Sequence, residues 1–203
     1  MIAFTLTYSL AASLFAILRG NSEFVIYILV MLVIVVAIWR VSINVNLSRG
    51  VLWALSIWGL AHMLGGLMPI PEHWLHSGNG AVLYNLWLLP DLLKYDQLVH
   101  AYGFGTTTFV FWESISAIMA RSSKVRPQPT FGLLLIAVAA ALGMGALNEI
   151  VEFVTTLFVE NTNVGDYNNT GWDLVFNMIG ASLAAIWIRL RAETVRDPKI
   201  ALP

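Results

Sequence analysis

Apolar residues gather in six runs along the chain, at 2–18, 24–39, 51–68, 97–120, 131–158 and 171–188. Each is near the length that carries a helix across ~30 Å of hydrocarbon. The pattern predicts an all-α fold: a polytopic membrane protein of six transmembrane helices, built as one integral membrane domain over residues 1–203. The first two runs, of 17 and 16 residues, are the shortest, so they cross a thin bilayer or borrow flanking residues. Small residues in LAASLFA give the first run some likeness to a cleavable leader. The leading MIAF carries no cationic residue, which favours a retained helix.

The stretch 70–94 is too long for a simple helix connection and carries Trp74, Tyr84 and Trp87, with Tyr95 just beyond. Such rings favour the headgroup boundary. The expectation is an interfacial loop in which AVLYNLWLLPDLL forms a short surface or re-entrant helix and covers a site from outside. Lysine and arginine set the orientation. A cytoplasmic N-terminus places Arg40, Arg49, Arg121, Lys124, Arg126, Arg189, Arg191, Arg196 and Lys199 inside and only Arg19 and Lys94 outside, nine against two. Both termini are then cytoplasmic, 121–130 is an inner loop, 70–94 lies on the outer face and 189–203 is a cytoplasmic tail.

Small residues line the fifth run: Ala137, Ala139, Ala140, Ala141, Gly143, Gly145 and Ala146, with Gly103 and Gly105 in the fourth. Small side chains let helices approach closely in lipid, so this stripe predicts tight packing of the fourth and fifth helices.

Composition agrees with a membrane chain: 58% of the 203 residues are hydrophobic and 11% charged, against about 25% charged in soluble domains. With no cysteine, disulfides, thiolate ligands and a cysteine nucleophile are excluded, leaving oxygen and imidazole chemistry. A net charge of −1 and the lack of a dense basic block give no reason to expect nucleic acid; the surrounding partner is membrane lipid.

Against this background six ionisable groups stand out: Asp96 and His100 in YDQLVH, Glu149 and Glu152 in NEIVEF, Asp173 in GWDLVFN and His62 in GLAHMLGG. A charge at a helix centre costs roughly 2.5–3.5 kcal/mol on insertion scales, so intramembrane ionisable residues are retained for a reason. Asp96 and His100 share a face at i, i+4, as do Asn148 and Glu152, and Asp173 and Asn177; Glu149 and Glu152 share one at i, i+3. By the ~1.5 Å rise per residue these pairs, on three helices, fall at one level near the outer boundary, and His62 can reach it. Glu113 lies about 20 Å from His100 along its helix and belongs near the inner leaflet.

Several chemistries suit such a cluster. As a metal site, Asp96, His100, Glu149, Glu152 and Asp173 offer ligands for Mg²⁺, Mn²⁺ or Zn²⁺, although Asp-x3-His and Glu-x2-Glu differ from the Glu-x-x-His of di-iron bundles. As metal-free catalysis, Glu149 and Glu152 form an acid/base pair, His100 is the base, Asp96 orients it, and Asp173 and Asn177 bind substrate. A lipid or other amphiphile could enter sideways from the outer leaflet. A proton-coupled transporter or a structural, accessory network remain as non-enzymatic readings. His73 and His76 in the outer loop are potential ligands or solvated loop residues.

The ordered set D-x3-H, E-x2-E and D-x3-N-x2-G, at Asp96/His100, Glu149/Glu152 and Asp173/Asn177/Gly180, resembles the bacterial inner-membrane family of the YjdF type and, more distantly, VanZ-like membrane proteins, over roughly residues 90–185. The resemblance implies a multi-pass protein of the bacterial inner (cytoplasmic) membrane; VanZ-like proteins are associated with glycopeptide-antibiotic tolerance. Glu152 stands where VanZ-like proteins usually have Gln, and residues 153–172 lack the Arg they often carry, so the YjdF type is the nearer likeness.

Overall fold

The computed structural model describes residues 1–78, 80–124, 126–160 and 162–196, the last four by their backbone alone. Six long helices dominate these residues: α1 (Ile2–Leu18), α2 (Ser22–Val45), α3 (Arg49–Leu67), α4 (Tyr95–Ser123), α5 (Phe131–Thr156) and α6 (Tyr167–Arg196). Polar residues placed just ahead of the apolar runs start them. Asn21, Ser48 and Thr130 accept from the backbone N–H of Phe24 (3.1 Å), Val51 (3.3 Å) and Leu133 (3.4 Å), each satisfying one of the unpaired amides of a first turn. Asn46, at φ 55°, stops α2 in a left-handed cap.

These helices run beyond several of the apolar runs, because a helix continues through polar residues that reach the interface. The second is not a short run over 24–39 but a 24-residue helix. The sixth continues to Arg196, so the 189–196 part of the expected tail is helical; residues 197–203 lie outside the described residues. By length and composition four helices can cross a membrane: α2, α3, α5 and the Tyr167–Ala192 part of α6. The remaining two of the six expected spans miss that standard for different reasons. α1 is apolar but has 17 residues, and α4 has 29 but carries Asp96, His100, three consecutive threonines and Glu113.

α4 can be polar because it is central, packing most extensively on α6 and also on α5, α3 and α2. The tightest crossing is between α4 and α6, not α4 and α5 as the small-residue stripe suggested. A Cβ on Gly180 would overlap the Ala101 carbonyl, and one on Gly105 would lie 3.1 Å from the Gly180 oxygen. Within α5 the stripe does set a buried face, Leu134, Ala137, Ala141, Gly145 and Glu149 at helical spacing, whereas Gly143 meets nothing within 4 Å. By contrast α2 is apolar all round and mostly uncovered, as expected of a helix surrounded by lipid.

Side chains tie the connections together at both ends. At one end Glu23 of α2 accepts from Asn163 of the α5–α6 connection, and Lys94 donates to Asn169. At the other end Glu113 of α4 accepts from the backbone N–H of Ser48 at 2.7 Å, Arg121 donates to the Asn44 carbonyl and Arg189 to that of Pro129. Glu113 thus stands apart from His100, at the end opposite Glu23.

The segment before α4 is not the expected surface helix. Only a single 3-10 turn forms at Leu83–Asn85, followed by a hairpin of β1 (Trp87–Leu89) and β2 (Leu93–Lys94). The intervening Pro90 removes a backbone donor and Asp91 takes φ 54°, a combination that breaks a helix and makes a turn.

Candidate functional site

Asp96 and His100 occupy the first turns of α4, in a helix start fixed by the Gln97 side chain accepting from the Lys94 N–H at 2.9 Å. The i, i+4 spacing stacks them: Nε2 of His100 lies 3.6 Å from Oδ1 of Asp96. Facing Nδ1 is Asn177 of α6, whose side-chain oxygen lies 3.0 Å away. With Nδ1–H donated to that oxygen, the Nε2 lone pair points to the Asp96 side. Room for Asn177 comes from Gly145, where a Cβ would sit 2.7 Å from the Asn177 amide nitrogen.

From α5, Glu149 brings Oε1 to 3.9 Å from His100 Nδ1. Glu152, one turn on, accepts at 2.7 Å from Asn148 on its own helix. From α6, Asp173 is wholly buried and accepts at 2.6 Å from Asn169, which in turn accepts from the Lys94 ammonium. One donor atom each from Asp96, His100 and Asp173 lie within 4.8 Å of one another, and the same holds for His100, Glu149 and Glu152. The two groups share His100, so Asp96, Glu149, Glu152 and Asp173 gather around one imidazole, with Asn177 holding the ring.

Electrostatics make this arrangement demanding. Four carboxylates surround one imidazole and one lysine, and both Glu149 oxygens and Oδ1 of Asp173 are buried with no hydrogen-bond partner among the described residues. An uncompensated buried carboxylate costs several kcal/mol, so a cation or bound protons must balance them. These donor types can hold a metal, because the second ring nitrogen of a ligating histidine is normally donated to a carbonyl or carboxylate, as His100 Nδ1 is to Asn177.

The other histidines lie elsewhere. His62 of α3 shares a hydrogen bond with the Tyr84 hydroxyl through Nδ1 and belongs to neither donor cluster; burial pushes the Tyr84 phenol well above its usual range, which keeps it protonated. His73 is exposed and His76 half-buried in the loop, and neither joins a cluster.

Sequence reasoning passed over Glu23, Tyr27, Lys94 and Asn169. Glu23 is almost fully buried and accepts from the Asn163 backbone N–H at both carboxylate oxygens, 3.1 and 3.0 Å, clamping α2 to the α5–α6 connection. Its place one residue ahead of the second apolar run was the available signal. Lys94 is also buried, its charge directed inward through Asn169 rather than out to water.

Residues 1–194 match the family described as predicted membrane protein (DUF2238). The chain belongs to this family. No curated protein and no solved structure gives a significant match. As a DUF2238 member it is an integral membrane protein with several membrane-spanning helices, and the uncovered apolar surface of α2 faces lipid.

Proposed function

We propose that this DUF2238 protein spans the bacterial inner membrane six times as one domain with both termini cytoplasmic, as the YjdF-type likeness implies, and that the cluster at the outer end is a divalent-metal centre acting on the polar group of an envelope amphiphile. Asp96, His100 and Asp173 hold the ion, Zn²⁺ or Mn²⁺ by the mix of imidazole and carboxylate, and Asn177 orients the imidazole. The Glu149/Glu152 pair is the acid/base couple beside it. What carries this reading is the set of three unpartnered buried carboxylate oxygens around a histidine whose other nitrogen is already held. Among the described residues the two groups of acidic and imidazole donors both include His100 and lie at one end, so a proton-transport path has less support.

Elemental analysis of protein purified in mild detergent tests it. About one transition-metal ion per chain is expected, lost on Asp173→Asn; metal-free protein that also fails to take up Zn²⁺ or Mn²⁺ overturns it. A second reading, a structural hydrogen-bond network, draws support from the Asn148–Glu152 and Lys94–Asn169–Asp173 contacts. On that reading Asp173→Asn lowers the melting temperature and no metal binds.

A further inference from the structure

A sizeable cavity adjoins the carboxylate cluster and shares Glu152 with it. It is a groove of ≈ 420 Å³ between α1, α2 and α3, closed at one end by α5. Its walls are aliphatic and aromatic along most of its length, with Val30, Ile34 and Ile38 on α2 facing Leu52 and Leu55 on α3. At one end the lining turns polar: Tyr27, His62, Asn148 and Glu152 converge there. From Tyr27 to Ser42 the groove follows α2 for about 22 Å, more than half of the ~30 Å hydrocarbon thickness.

A groove like this persists because lipid gives no hydrophobic drive for α2 to collapse onto α3. Two features point to an occupant with a polar head and one long tail. The Tyr27 hydroxyl is buried at that end beside Glu23 and Thr155, so a polar group seated there meets donors and acceptors rather than hydrocarbon. A smaller gap lined by Trp58, His62, Asn148 and His100 lies between the polar end and the cluster. Glu152, bonded to Asn148, belongs to both groove and cluster.

We propose that the α1–α3 groove binds a single long hydrocarbon chain of a membrane amphiphile, tail toward Ser42 and Trp39, with its polar group at Tyr27, His62, Asn148 and Glu152. The site rests on the proposed function only in that this polar group is the one delivered to the cluster. Chain occupancy needs no metal. A single chain is favoured over two because α1, α2 and α3 bound the groove and pack closely at Gly59, where a Cβ would already meet Tyr8 and lie 3.3 Å from Met31.

The test uses full-length protein in phosphatidylethanolamine nanodiscs and a hexadecanol carrying a mid-chain diazirine, with labelled positions mapped by mass spectrometry and metal measured on the same samples. Labelling is expected on groove-facing α2 and α3 residues, saturable and competed by hexadecanol but far less by octanol. Filling the groove by Ile34→Trp or Leu55→Trp is expected to weaken apparent affinity about tenfold, whereas Val33→Trp, at an outward position 69% exposed, leaves it unchanged. Two filling variants guard against one that fails to fold. Labelling equal on the Val33 face and in the groove, or indifferent to both fillings, overturns the proposal. Protein that neither holds nor takes up Zn²⁺ or Mn²⁺ but still labels in the groove overturns the metal centre and leaves the chain site standing.

Discussion

Asn177 fixes His100: its side-chain oxygen stands 3.0 Å from Nδ1 across the α4–α6 crossing, and both residues are buried. This contact selects which ring nitrogen faces Asp96. Asn177→Ala leaves the imidazole unheld, and loss of such an orienting partner typically costs 10–100-fold in metal affinity. Chelator competition on purified protein is expected to show a drop of about that size, with Asn177→Asp, which keeps an acceptor oxygen, recovering part of it. An unchanged affinity in Asn177→Ala would mean that the ring is positioned by something else.

The crossing itself rests on two glycines. Because a Cβ at Gly180 would overlap the Ala101 carbonyl, Gly180→Ala must push α4 and α6 apart just where His100 and Asn177 meet. Overpacking of this kind costs about 1–3 kcal/mol, so thermal melts in detergent are expected to shift down and metal retention to fall with them. Gly143→Ala on α5 is the contrast. That site has nothing within 4 Å, and alanine favours helix, so its melting temperature is expected to hold or rise slightly.

Much of the charged cluster was legible because helices convert sequence spacing into position. Asp96/His100, Asn148/Glu152 and Asp173/Asn177 each sit one turn apart, and apolar runs of fixed length set their depths. Partners drawn from outside that periodicity were not legible. Asn169 lies in the polar run NNTG, and nothing local marks it as the bridge between Lys94 and Asp173. The same holds for the groove, which depends on α2 standing away from α3, a property of three helices rather than of any one. In AVLYNLWLLPDLL the apolar content suggested a helix, but Pro90 and the left-handed Asp91 govern the backbone there and make a hairpin.

Charge balance in the cluster separates a metal centre from a structural network. Glu149 has two buried oxygens without partners among the described residues, so its charge brings no hydrogen-bond energy to the metal-free fold. Glu149→Gln removes the like-charge contact with Glu152 and gives up only a long, 3.9 Å approach to His100, so the metal-free variant is expected to melt at about the temperature of the metal-free parent or higher. Added Zn²⁺ at 100 times its dissociation constant stabilises a binding protein by about 2.7 kcal/mol. That gain should persist in Glu149→Gln and vanish in Asp173→Asn. If both metal-free variants melt well below the parent, the carboxylates serve the fold and not a cation.

Tyr84 gives the fold an alkaline limit. It lies in the loop before α4, shares a hydrogen bond with His62 and rests its ring where Gly65 of α3 leaves no room for a Cβ. Burial, with Asp96, Glu152, Tyr95 and Tyr27 nearby, raises its phenol well above the ordinary value of about 10. The protonated phenol is therefore the form the fold favours. Below pH 10 the side chain is neutral in folded and unfolded chains alike and its contribution is complete; above pH 10 the unfolded chain gains stability by ionising while the folded chain does not, so the contribution falls as pH rises. Melts compared at pH 9, 10 and 11 are expected to show a steeper decline for the parent than for Tyr84→Phe, which lacks the titrating hydroxyl. At pH 9 the order should reverse, the variant melting lower because it has lost the bond to His62, by about 0.5–1.5 kcal/mol. Parallel pH slopes for the two proteins would show that the loop does not shelter this phenol from water.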